Sequence, residues 1–122
     1  MDFWFLMAGA LLAFIGMLFH GIAGHIKYIG NVEESDLAPL SKSLSWVSWH
    51  SFTIFLFVSA VSLAYVAYYP EFAFATYPII GVNFLGALLF IALGLGGHKA
   101  LLKMPGAYLM GGTALLAWLA VS

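Results

Sequence analysis

Long apolar runs alternate with short polar stretches along this chain, and none of the runs shows the period of two expected of a half-buried strand. The first run extends from Phe3 to about Ile26. The stretch from Gly30 to Lys42, with Asn31, Glu33, Glu34, Asp36 and Pro39, reads as the longest loop. A second helix is expected from about Leu44 to Tyr68, stopped by Tyr69, Pro70 and Glu71. Pro78 suits the first turn of a third helix reaching Lys99, and Pro105 can open a fourth, the shortest, ending near Val121. The pattern thus predicts helices over residues 3–26, 44–68, 78–99 and 105–121 of one domain spanning 1–122.

Runs of this kind match the roughly 20 apolar residues that cross a hydrocarbon layer as a helix. A helix also satisfies its own backbone hydrogen bonds where lipid cannot. Short connections make neighbours antiparallel, so the expected fold is an all-α integral membrane protein, an up-down-up-down four-helix transmembrane bundle with both termini on one side.

Composition strengthens this reading, because 64% of the 122 residues are hydrophobic and 7% are charged, against about a quarter charged in soluble domains. The first run follows Met1 and Asp2 without a positive stretch or a clear cleavage site, so it is expected to be a mature helix. With no cysteine, disulfides and thiolate metal sites are excluded, and metal chemistry falls to His, Asp, Glu or Met. A net charge of -1 with no arginine argues against nucleic acid as a partner.

The lysines Lys27, Lys42, Lys99 and Lys103 all fall on the side of the long loop and the third connection. That side is expected to be cytoplasmic, as in a bacterial inner membrane, with both termini opposite. Trp4, Tyr68, Tyr69, Tyr77 and Trp118 mark one interface, and Tyr28, Trp46 and Trp49 the other.

Chemistry is sought in the histidines, since ionisable side chains inside a span are costly and commonly functional. His20 lies about a turn and a half before the expected end of the first helix, and His50 at a similar depth in the second, so antiparallel packing sets them level. His25 and His98 fall on the same side. Gly9, Ala13, Gly16, His20 and Gly24 recur at three- or four-residue spacing, leaving space beside the His20 imidazole. His20 and His25, five residues apart, point about 140° away from each other on an ideal helix.

Two cofactors suit this placement. In one, His20 and His50 are the axial ligands of haem b, with Trp46, Trp49 or Phe19 against the macrocycle and Lys27 or Lys42 near its propionates. In the other, His20, His25, His50 and His98, with Glu34 or its neighbours Glu33 and Asp36, bind a transition-metal ion. The expected function is electron transfer or oxidation of a lipophilic substrate near the cytoplasmic face. The plain alternative is that the histidines hydrogen-bond across helices or lie wetted at the interface.

A different class of function is an accessory or assembly subunit of a larger membrane complex, using its glycine stripes as interfaces. A third is a small transporter or proton-relay element built on the histidines and Asn83, which would need to form a homo-oligomer. Nucleophile-based catalysis finds no support, with no Cys and no Gly-x-Ser-x-Gly turn. One of Ser45, Ser48, Ser51 and Thr53 is expected to orient an imidazole.

Overall fold

The computed structural model describes residues 1–122 and is all-helical, without strands. Three helices are long and apolar enough to cross a membrane, and a shorter apolar one follows them. We label them α1 (Phe3–Glu33), α2 (Pro39–Tyr68), α3 (Thr76–Leu95) and α4 (Gly106–Val121).

The ends differ from the sequence expectation for local reasons. Asp2 caps α1, its Oδ1 accepting from the backbone N–H groups of Trp4 and Phe5 at 2.9 and 3.2 Å. At its other end α1 continues past Ile26 to Glu33, where Lys42 Nζ donates to the Glu33 carbonyl at 2.7 Å. Pro39 takes the first position of α2 after an extended Ala38, so the expected long loop shrinks to Glu34–Ala38.

The end of α3 comes earlier than expected. Gly97 adopts φ 118°, and the His98 N–H donates back to the Leu93 carbonyl at 2.9 Å. This left-handed glycine cap closes the helix before His98, which therefore sits outside α3 rather than at its last turn. A 3-10 segment, Lys99–Lys103, then leads to α4.

Small residues set the packing. Gly9 and Gly16 of α1 meet Leu63 and Leu56 of α2, and Gly21 and Gly24 meet Thr53 and Trp49, so α1 and α2 run antiparallel. Likewise Gly86 of α3 meets Met110, and Gly106 of α4 meets Phe90. Helix α1 packs along both α2 and α4, and α4 along α3, whereas α2 and α3 touch only sparsely.

The core sits at the end holding the termini, where the Asp2 N–H donates to the Ala120 carbonyl at 3.0 Å. All four helices meet there in one buried cluster that includes Leu6, Leu63, Val66, Ile79 and Ala117. A smaller cluster, Leu56, Ala87 and Met110, lies nearer mid-length. A cavity lined by residues of all four helices includes members of this cluster.

Candidate functional site: a histidine network beside an apolar cavity

The winding of α1 changes where the histidines begin. From Phe19 to Ala23 and from His25 to Ile29 the helix is π-wound, with the Gly24 N–H bonded to the Phe19 carbonyl and the Gly30 N–H to that of His25. Bonds of the i→i+5 type stack residues five apart about one turn from each other. His20 and His25, expected to diverge on an ideal α-helix, therefore both turn toward α2.

On α2 they meet His50 and Thr53. His25 Nδ1 lies 2.9 Å from His50 Nε2, His50 Nδ1 lies 3.3 Å from Thr53 Oγ1, and His20 Nδ1 lies 2.8 Å from the same oxygen. A hydroxyl has one proton to give, so at least one of His20 and His50 donates its Nδ1–H to Thr53. The sequence set His20 and His50 at matching depth, and here they share one hydroxyl. Thr53 stands one helical turn after His50, and that spacing is the signal which singles it out from the neighbouring serines.

Trp49, expected near one interface and beside the histidines, turns toward His20. Its ring stacks on His20 with centroids 4.0 Å apart and planes 10° from parallel, and its Nε1–H donates to the His20 carbonyl at 2.9 Å. Gly24 makes room for it. Trp46 packs edge-on to His25 at 4.4 Å and donates to Glu33 Oε1 at 2.5 Å.

His98 and Glu34 remain apart from this network. Both are exposed, His98 because Gly97 carries the chain away from α3 and Glu34 because it follows the end of α1. No group of three or more His, Asp or Glu side chains is arranged to hold a metal ion. The five-residue set His20, His25, His50, His98 and Glu34 is thus not assembled as one ligand shell.

Both ring nitrogens of His50 lie within hydrogen-bond distance of a side chain, one of Thr53 and one of His25. His20 is different. Its Nε2 makes no hydrogen bond and keeps accessible surface, because Asn83 Oδ1 is the one fully buried side-chain polar atom without a partner.

His20 borders a cavity of about 560 Å³, within the range of small-molecule and cofactor sites. Ala13, Gly16, His20 and Gly24 are among the α1 residues that line it, so the small-residue stripe does border space beside the imidazole. Trp49 and Phe52 line it from α2, and Phe90 and Asn83 from α3. Ser48 of α2 and Leu89 of α3, which touch only sparsely as helices, also line it and are both exposed. No Asp, Glu or Lys lines it.

Asn83 lies deeper, 1% exposed. Its Nδ2 donates to the Ile79 carbonyl at 2.9 Å and to Ser59 Oγ at 3.4 Å. Asn83 thus reaches across to α2 through Ser59. The chain matches no family model, no curated protein and no solved structure.

Proposed function

We propose that this chain is a transmembrane four-helix bundle, up-down-up-down, that binds a lipophilic molecule in the cavity beside His20. The observation that carries the reading is the apolar cavity itself, bordered by one imidazole whose Nδ1 is held by Thr53, whose face is held by Trp49 and whose Nε2 is free. Ligating histidines are held in this way, one nitrogen fixed and the other presented.

Membrane insertion is supported by the length and apolar surface of the first three helices. The fourth, with 16 residues, covers about 24 Å at 1.5 Å per residue, so it needs its partners or a locally thinner bilayer to complete a span. The lysine-bearing end is assigned to the cytoplasm. The side where α2 and α3 touch only sparsely then faces lipid, the phase in which a lipophilic molecule is dissolved.

Haem b is the coloured form of this reading. A haem b bound here would be held by His20, with Trp49 and Phe90 lining the space around it, and would supply electron-transfer or oxidation chemistry. Oxidised and dithionite-reduced visible spectra of the purified protein, with organic extraction and mass spectrometry, test the proposal against His20→Ala. A Soret band lost in the variant identifies haem, and a colourless lipophile lost in the variant identifies a bound substrate. If wild-type protein carries neither and binds no added lipophile, the reading fails and an accessory-subunit role takes its place.

A further inference from the structure

Three imidazoles and one hydroxyl of the histidine network form an unbroken line. From His25 Nδ1 it is 2.9 Å to His50 Nε2, from His50 Nδ1 3.3 Å to Thr53 Oγ1, and from that oxygen 2.8 Å to His20 Nδ1. Along this line each ring is entered at one nitrogen and left at the other, so an imidazole can take up a proton on one side and release one on the other. The two end atoms, His25 Nε2 and His20 Nε2, make no hydrogen bond and keep accessible surface.

The ends lie in different surroundings. Helix α1 has 31 residues, about 46 Å at 1.5 Å per residue, against a hydrocarbon layer of about 30 Å. With Phe3 at the opposite interface, about 20 residues cross that layer, and it ends near Ile22. His25 then stands at headgroup level, two residues before the exposed Lys27 and edge-on to Trp46, whose indole holds the Glu33 carboxylate. His20 stands within the layer and lines the cavity, which His25 and His50 do not.

We infer that His25, His50, Thr53 and His20 are a proton path through which His20 exchanges protons with water at the cytoplasmic end. The inference rests on reading the cavity as a ligand site, and it gives the ligand a class: a lipophile that gains or loses a proton, such as a phenol, rather than an ether or a hydrocarbon.

A bare proton cannot reach the cavity through hydrocarbon, where an isolated charge is strongly disfavoured. No Asp, Glu or Lys lines the cavity, and the other titratable side chain there, Tyr28, turns its hydroxyl to Met104 Sδ at 3.4 Å. His20 is therefore the group that can exchange a proton with an occupant, and the line behind it leads out.

The transfer balances. A proton bound at His25 Nε2 sends the Nδ1 proton to His50 Nε2, and His50 Nδ1 passes its own to Thr53 Oγ1. The hydroxyl proton moves to His20 Nδ1, and the His20 Nε2 proton leaves to an oxygen of the occupant. One proton enters, one leaves and no electron moves. Every hydrogen bond survives with its direction reversed, so the line is then set to carry a proton back: it exchanges protons and does not pump them. The Trp49 carbonyl, 3.4 Å from Thr53 Oγ1, competes for the hydroxyl proton and is the farthest of its three neighbours.

Protein labelled with 15N-histidine, in lipid nanodiscs, provides the test. A scalar coupling between His25 Nδ1 and His50 Nε2 reports their shared proton in the unaltered chain. Deuterium exchange of the His20 ring proton reports delivery, in wild type and in His25→Gln and His25→Phe, which remove the outer end and keep His50, Thr53 and His20. The expected result is a coupling in wild type and exchange at His20 slowed about a hundredfold in both variants, the low end of what a positioned proton carrier contributes. Native mass spectrometry should count 2-naphthol, a lipophilic phenol, equally in wild type and His25→Gln, because His25 does not line the cavity.

Absence of the coupling overturns the path, and so does exchange at His20 as fast in either folded variant as in wild type. Neither result touches lipophile binding. Failure of wild type to bind 2-naphthol overturns the ligand class and leaves the path standing. The coupling needs no substitution, and the glutamine keeps a hydrogen-bonding group toward His50, so a poorly folding His25→Phe does not shelter the idea.

Discussion

Gly24 and Trp49 determine how closely α1 and α2 approach beside the histidines, since a Cβ on Gly24 would stand 2.5 Å from Trp49 Cζ2. Gly24→Ala must therefore displace the indole, and with it the stack on His20 and the bond to the His20 carbonyl. Overpacking of this kind costs about 1–3 kcal/mol. Gly81 has nothing within 4 Å of its Cβ position, so Gly81→Ala is the control. Thermal unfolding in detergent is expected to drop for the first and hold or rise for the second, with a Trp emission change in the first alone.

Thr53 is the next point of strain if altered. Thr53→Val keeps the shape and removes the oxygen that both His20 and His50 contact. Two imidazole nitrogens lose their partner, and about 1–3 kcal/mol of stability should go with each that stays buried. Thr53→Ser should restore most of it. Nitrogen-15 spectra of labelled histidine report the same event more directly: His20 and His50 resonances should move in Thr53→Val, and unchanged spectra would show that the shared hydroxyl does not hold the rings.

How much of this was legible beforehand depended on whether the determinant was local. The apolar runs gave the helices, and the Gly9, Ala13, Gly16, His20 and Gly24 spacing gave the face that turns inward, because both are periodic features of a regular helix. Pro39 was legible as a helix start but was read as part of a loop, although its position after Ala38 suits a first turn. The paired glycines Gly96 and Gly97 likewise signalled an end to α3 ahead of His98.

The meeting of His25 with His50 was not legible. It depends on the π winding between Phe19 and Ile29, and no proline or other local marker in that stretch announces the change. The wider turns coincide with His20 against Thr53 and His25 against His50, contacts between helices that no local pattern encodes. The cavity was legible only as space beside one imidazole, since residues of all four helices line it, a property of the whole assembly.

The absence of cysteine makes the proposed topology directly measurable. Single cysteines at Asp36 and Lys99 lie at the histidine end, and single cysteines at Glu71 and Ser122 at the opposite end. All four positions are exposed. In intact cells an impermeant maleimide is expected to label Glu71→Cys and Ser122→Cys and to spare Asp36→Cys and Lys99→Cys until the membrane is opened. The reverse pattern would invert the orientation, and mixed labelling within either pair would contradict the four-span bundle.

Gly16 offers a way to close the cavity without touching its polar groups. A Cβ there makes ordinary contact, 3.8 Å from Leu56 Cδ1 and 3.9 Å from Leu109 Cδ1, so Gly16→Ala should be tolerated. The longer side chain of Gly16→Leu starts between Leu56 and Leu109 and is expected to take up part of the cavity that Gly16 lines beside His20. This variant is expected to stay folded, with Gly16→Ala as the reference for any stability lost by crowding Leu56 and Leu109. Bound lipophile, counted by mass spectrometry after purification, should nevertheless fall at least about tenfold, a loss of about 1.4 kcal/mol in binding. Retention of the ligand at wild-type stoichiometry would place it elsewhere on the molecule, whatever the behaviour of His20→Ala, because only a cavity occupant competes with the leucine for the same volume.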